Sequence, residues 1–146
     1  MSWVYQNKKI ENINQLPSNA IGFIYRTIHQ PTNKMYIGKK VLYFNTKKKL
    51  TKKEIAEWDK PGRLPKTKIV SKESDWLKYY GSDKWILQQI KEGRNDEFVR
   101  EILQLCYNKK QLTFYEVYHQ MLNNVLTNDQ YLNDNILGKF YSKDLL

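Results

Sequence analysis

The chain has one cysteine, Cys106, in 146 residues, so no disulfide can form within it. That fits a reducing compartment. No apolar run approaches the ~20 residues that a membrane-crossing helix needs. The first twenty residues, MSWVYQNKKIENINQLPSNA, hold no apolar signal core. These absences point to a cytoplasmic protein with no membrane partner. No internal repeat and no low-complexity linker divides the sequence, and its length suits one domain with a real core. A hydrophobic content of 40% with 14% aromatics excludes global disorder.

Acidic residues are scarce where basic ones crowd. Residues 39–72 carry Lys39, Lys40, Lys47, Lys48, Lys49, Lys52, Lys53, Lys60, Arg63, Lys66, Lys68 and Lys72, opposed only by Glu54, Glu57 and Asp59. Nine of the ten excess positive charges therefore lie in one segment. A charge run can be a solvated face, but so complete a concentration points to a polyanionic partner. Within it, TKKE (Thr51 to Glu54) is a capping box that can start a short helix through about Trp58. KPGRLPKTK then breaks regular structure. This stretch is either a flexible surface loop or a minor-groove arm with Arg63 as the inserted side chain.

Two runs rich in Ile, Tyr, Phe and Val, residues 21–28 and 34–44, read as strands joined by a turn containing Pro31 and Asn33. Alternation puts Phe23, Tyr25 and Thr27 on one face of the first strand, and Tyr36, Gly38 and Lys40 on one face of the second. A turn centred between Gln30 and Pro31 sets Tyr25 opposite Tyr36 and Phe23 opposite Gly38, with both phenols on the same side. Cross-strand aromatic packing accounts equally well for the pair. Residues 71–93 read as two helical pieces, the first capped by Ser71 and ended by Gly81, the second capped by Ser82. EFVREILQLC (Glu97 to Cys106) alternates as a third strand, and a last helix runs from about Lys109 to Leu126. His29 in the turn reads as a surface residue and His119 as an ordinary helix histidine. Tyr79 and Tyr80, beside Gly81 and Ser82, read by default as buried helix aromatics, with stacking on DNA as the alternative.

The ordered set of motifs resembles a known family. GFIY (Gly22 to Tyr25), followed by YIG (Tyr36 to Gly38), is similar to the GIY-YIG nuclease signature. YYGSDKWILQQIKEG, EFVREILQLC, LTFYEVYHQ and NDNILGKF resemble the continuation in phage-encoded, Seg-like stand-alone homing endonucleases, over roughly residues 21–141. The resemblance implies an α/β (α+β) domain with a three-stranded antiparallel sheet and flanking helices. Residues 1–20 become an N-terminal extension, 21–146 the nuclease domain, and 39–72 a basic insert.

It also implies hydrolysis of phosphodiester bonds, with double-stranded DNA as partner and Mg²⁺ or Mn²⁺ as cofactor. Tyr25 then matches the tyrosine that helps activate the attacking water and Tyr36 its partner phenol. Gly38 leaves the substrate room, and Glu116 is the metal ligand. Asn133 matches a late functional asparagine, with Asn135 close by. Pattern alone offers Glu116 a second role, as the closing residue of a Thr113–Glu116 capping box. Where the family places an arginine, often followed by a histidine, this chain reads KKVLYFNTKKKL, which has neither. Lys40, on the face of Tyr36, is the available cation for lowering a phenol's pKa. Lys39, Lys47, Lys48, Lys49, Lys52, Lys53, Arg63, Lys66 and Lys68 would contact DNA, and the alternative is a regulator or blocking factor that binds without turnover. With no room for a separate specificity domain, target preference falls to the insert or to a protein partner.

Overall fold

The computed structural model describes residues 2–145. Its main element is a mixed sheet built from β1 (Trp3–Tyr5), β2 (Lys8–Ile10), β3 (Gly22–His29), β4 (Lys34–Val41) and β7 (Phe98–Cys106), in the order β2-β1-β7-β3-β4. The sequence reading foresaw three antiparallel strands, which are β4, β3 and β7. The sheet has five because residues 1–20 supply two more, β1 running parallel to β7. Three-residue strands such as WVY and KKI are too short for any alternation to register.

The sheet separates two apolar layers. One face presents Ile24, Ile37 and Cys106 to helix α3 (Lys109–Leu122), where they pack with Leu112, Val125 and Leu126. Burial there pushes the Cys106 thiol up to about 11, so the lone cysteine is a core residue with no reactive thiolate. The other face is aromatic. Trp3, Phe23, Tyr25 and Trp76 meet edge to face, and the Trp3 indole donates 2.8 Å to the Trp76 carbonyl.

Arg100, 2% exposed, lies on this face between the rings of Trp3 and Tyr80. It donates to the carbonyls of Leu77 (3.0 Å) and Tyr79 (2.8 Å). The segment it pins contains a 3-10 turn, Trp76–Lys78, where a capped helix was expected. Ser71, foreseen as that cap, lies in a strand, and the cap of helix α2 (Lys84–Lys91) is Asp83 in place of Ser82. His29 is not on the surface either. Its ring is buried against Trp85 and Phe98 and bonded to Thr32 and Glu97.

Residues 43–74 form a second compact unit. It is a two-stranded antiparallel ribbon of β5 (Tyr43–Lys49) and β6 (Thr67–Glu73), with the short helix α1 (Lys52–Ala56) in the connection. The Thr51–Glu54 capping box is present, each side chain meeting the other's main-chain N–H. The insert is therefore a folded ribbon, and its strands were obscured because lysines occupy the alternation that normally marks a half-buried strand. Near the C-terminus β8 (Asn135–Ile136) pairs with β9 (Phe140–Tyr141). Among the described residues, no helix is long and apolar enough to cross a membrane.

Candidate active site

Tyr25 stands at the centre of the aromatic face, 1% exposed, beside a bulge where β7 carries an extra residue opposite Ile24 and Tyr25. Bulges of this kind re-aim a neighbouring side chain. The β3–β4 register pairs Tyr25 with Gly38 and Thr27 with Tyr36, two residues away from the register expected from the turn. The turn is longer, spanning 30–33 with Asn33 at φ +57°. A shift of two preserves side-chain parity, so the phenols still share a face, with ring centroids 6.3 Å apart.

The register also explains the glycine. A Cβ on Gly38 would sit 2.6 Å from the Tyr25 hydroxyl and 3.0 Å from Tyr36 Cε1. The space that Gly38 leaves is thus filled by Tyr25 itself. Gly81, at φ +116°, is also close to this hydroxyl, which lies 3.2 Å from where its Cβ would be. The Tyr25 hydroxyl thus neighbours two positions that lack side chains.

A third phenol belongs to the cluster. Tyr79 meets Tyr25 edge to face at 5.7 Å and is hydrogen-bonded to it. The sequence offered no sign of this, since Tyr79 lies in an irregular segment fixed by Arg100 from another strand. Tyr36 is half-buried, with its hydroxyl 3.1 Å from Ser82 Oγ. Burial raises the Tyr25 pKa well above that of a free phenol, and the other phenols and Glu116 push it the same way. Burial raises Tyr36 too, against the hydrogen bond from Ser82. Both groups are held as neutral phenols.

Glu116 belongs to helix α3, which packs on the opposite face of the sheet, and it acts on the phenols electrostatically. Helix α3 is capped by Asn108, whose side chain accepts from Gln111 N at 2.8 Å, so Thr113 lies inside the helix and the Thr113–Glu116 capping box does not form. The half-buried Glu116 carboxylate accepts from the main-chain N–H of Lys39 and acts electrostatically on Tyr25 and Tyr36. Burial lifts its pKa above the usual carboxylate range, while Lys39 pulls it back.

The same device repeats along the free edge of β4. Met35 exchanges main-chain bonds with Gln130 and Leu132. Two residues on, the Asn133 amide accepts from Ile37 N (3.0 Å) and donates to Ile37 O (2.8 Å), which Gln120 also contacts. Asn133 is buried with its amide committed to this strand, where it positions Tyr36 and Gly38 from between them. Asn135 turns toward Asp134 and Gly138.

The lysines divide. Lys39 and Lys40 belong to β4, outside the ribbon. Lys39 Nζ donates to Thr113 at 3.3 Å. Lys40 is 9% exposed, donates to Asp75 at 2.6 Å and lies 4.2 Å over the Tyr79 ring. It joins the phenol cluster through Tyr79, and Tyr36, which it was expected to acidify, is shifted upward. Lys47, Lys48, Lys49 and Lys68 are in the ribbon strands, Lys52 and Lys53 in α1, and Arg63 and Lys66 in the bend before β6. The other arginines are engaged: Arg26 with Glu101, Arg94 with Glu92, and Arg100 as above.

Among the described residues, no cluster of three or more His, Cys, Asp or Glu forms a ready-made metal cage. One half-buried carboxylate fits a hard, hydrated cation such as Mg²⁺, which typically binds one or two carboxylates and keeps waters and phosphate oxygens as its other ligands. His119, bonded to Gln104 at 2.8 Å with its pKa lowered by burial, is one turn from Glu116 but engaged elsewhere.

The family model SegE_GIY-YIG, described as "Putative endonuclease segE, GIY-YIG domain", matches residues 3–136. Neither the curated proteins nor the solved structures give a match. The matched span begins at β1, which agrees with a sheet that includes the N-terminal strands. With the paired tyrosines, Gly38 and Glu116 drawn to one edge strand and the match covering most of the chain, this protein belongs to the GIY-YIG nuclease family of Seg-like endonucleases.

Proposed function

We propose that the protein is a metal-dependent DNA endonuclease that hydrolyses phosphodiester bonds, as a homing-type or phage DNA-processing enzyme. The observation that carries this reading is the approach of Tyr25 and Tyr36 at Gly38, with Glu116 acting electrostatically on both phenols. Glu116 would hold Mg²⁺ or Mn²⁺, which when bound supplies Lewis-acid polarisation of the phosphate and a more acidic water. Tyr36, the more accessible phenol, takes the nucleophile's proton or orders the water. A free phenol is only about 0.1% ionised at pH 7, and burial depresses that further, so Tyr36 gains basicity only as positive charge enters the site. Tyr25 acts from behind, holding Tyr79 and filling the space under Gly38. The lysine-rich ribbon contacts the DNA backbone, and contacts to about six phosphates give a log-log salt slope near −5.

The absence of Arg and His from residues 39–50, together with two upward-shifted phenols, also supports a DNA-binding regulator without turnover. Supercoiled plasmid incubated with Mg²⁺ or Mn²⁺, with and without EDTA, separates the two readings. Metal-dependent nicking that is lost in Glu116→Ala supports the enzyme. A retained band shift with no nicking in the wild type overturns it in favour of the binder.

A further inference from the structure

We infer that the β5–β6 ribbon reads double-stranded DNA from the major groove and does so with one face only. The inference rests on the reading of the protein as DNA-acting and adds the contacting surface and the groove. Alternation along the paired strands sorts their side chains into two sets. Asn45, Lys47, Lys49, Thr67, Ile69 and Ser71 share one face, and Phe44, Thr46, Lys48, Lys68, Val70 and Lys72 share the other. The second face is partly occupied. Lys48 and Lys68 stand directly opposite each other, a costly like-charge pair, which Glu54 of α1 relieves through a 2.6 Å ion pair with Lys68. Lys68 and Val70 are half-buried there.

All six residues of the first face are exposed, whereas on the second Phe44, Thr46, Lys48 and Lys72 are exposed and only Lys68 and Val70 are half-buried. Ile69, directly across from Lys47, is 69% exposed, the highest among the large apolar side chains described. Its burial contributes little to folding. One exposed isoleucine is ordinary by itself. Between lysines on a ribbon it has the chemistry to meet thymine methyl groups while the ammonium groups meet guanine edges and phosphates. Asn45, pinned by a 2.6 Å bond from Ser71, adds a fixed amide on the same face.

Size selects the groove. Two strands ~4.8 Å apart with their side chains make a ribbon ~10 Å across. That fits a major groove ~12 Å wide and not a minor groove ~6 Å wide. On this reading the ribbon, and not the Arg63 stretch, is the groove-reading element. A simpler account is that these lysines only guard the two unpaired strand edges against aggregation, in which case the faces are equivalent toward DNA.

The test removes equal charge from each face of the full chain. Lys47→Ala/Lys49→Ala and Lys48→Ala/Lys72→Ala are compared by fluorescence anisotropy on a 30-base-pair duplex in EDTA, where no cleavage step contributes. The open-face pair should weaken binding about tenfold more than the other pair. Methylation of guanine N7 in the duplex should weaken wild-type binding, and distamycin in the minor groove should not. Equal losses from the two pairs, displacement by distamycin, indifference to N7 methylation, or no binding at all each overturns the proposal. A chain that binds as expected but never nicks plasmid leaves the ribbon standing and rejects only the nuclease reading.

Discussion

Gly38→Ala tests the packing on which the phenol cluster depends. The new methyl would lie 2.6 Å from the Tyr25 hydroxyl and 2.8 Å from Cζ, against an ordinary contact of 3.4 Å or more, so the ring must retreat by ~0.8 Å. Retreat is blocked. Tyr25 is 1% exposed, with Trp3 at 5.6 Å, Tyr79 at 5.7 Å and Gly81 beyond its hydroxyl. Overpacking of this kind costs about 2 kcal/mol, which for a chain of this length lowers Tm by roughly 4–8 °C. Thermal denaturation followed by near-ultraviolet circular dichroism reads both the shift and the tyrosine environment. Tyr25→Phe removes the oxygen that makes the shortest contact but leaves Cζ at 2.8 Å, so it should rescue only part of the loss. A double-mutant cycle should therefore give a favourable coupling of about 0.5–1 kcal/mol. A Gly38→Ala cost below about 0.5 kcal/mol, or strict additivity with Tyr25→Phe, would refute the claim that Gly38 exists to admit Tyr25.

Two further outcomes follow from the same geometry. Arg100→Met strips the carbonyls of Leu77 and Tyr79 of a buried charged donor, and bonds of this class contribute about 1.5–3 kcal/mol each; a loss of at least ~3 kcal/mol in urea denaturation is expected, with Arg100→Lys recovering only part because a lysine lacks the fork. Glu116→Gln should stabilise the metal-free chain at pH 7.5, because ionising a carboxyl whose folded pKa is raised costs the native state stability as pH rises through that pKa. The gain should fade toward the unfolded carboxyl value of ~4.3, below which both side chains are neutral, and millimolar Mg²⁺ or Mn²⁺ should raise Tm in the wild type only. Lower stability of Glu116→Gln in EDTA at pH 7.5 would contradict the assigned burial.

Legibility in the sequence followed how far each signal reached along the chain. The β3–β4 hairpin, β7 and α3 were readable because each carries its periodicity over at least eight residues. The pairing of Tyr25 with Tyr36 on one face survived a wrong register because only parity matters for facing, and the error was two. What failed was local pattern that tertiary contacts override. Ser71 and Ser82 are sound caps by residue type, yet one is a strand residue opposite Asn45 and the other yields the cap to Asp83. Thr113 and Glu116 have capping-box spacing, but the helix begins a turn earlier at Asn108.

The site residues that were missed share a cause. Tyr79 enters the cluster because Arg100, 21 residues later, holds its carbonyl, and Arg100 is fixed by Trp3 and Tyr80 on either side. No spacing rule connects these positions, since each joins the others only across strands β1 and β7. Glu116 and Asn133, which the family resemblance supplied, and Gln120, which it did not, act together only because β4 is the last strand of the sheet. Its outward main-chain groups at Ile37 and Lys39 need partners, and side chains from α3 and the 130–135 segment provide them. An edge that a sixth strand would cover is instead closed by the main chain of Gln130 and Leu132 at Met35 and by polar side chains beyond it, and one of these is the carboxylate that acts electrostatically on the phenols. If the edge were extended by strand pairing, Glu116 would lose its anchor on Lys39 and the site its acid. The strand order itself therefore leaves room for the proposed chemistry at this edge and at no position between β3 and β7.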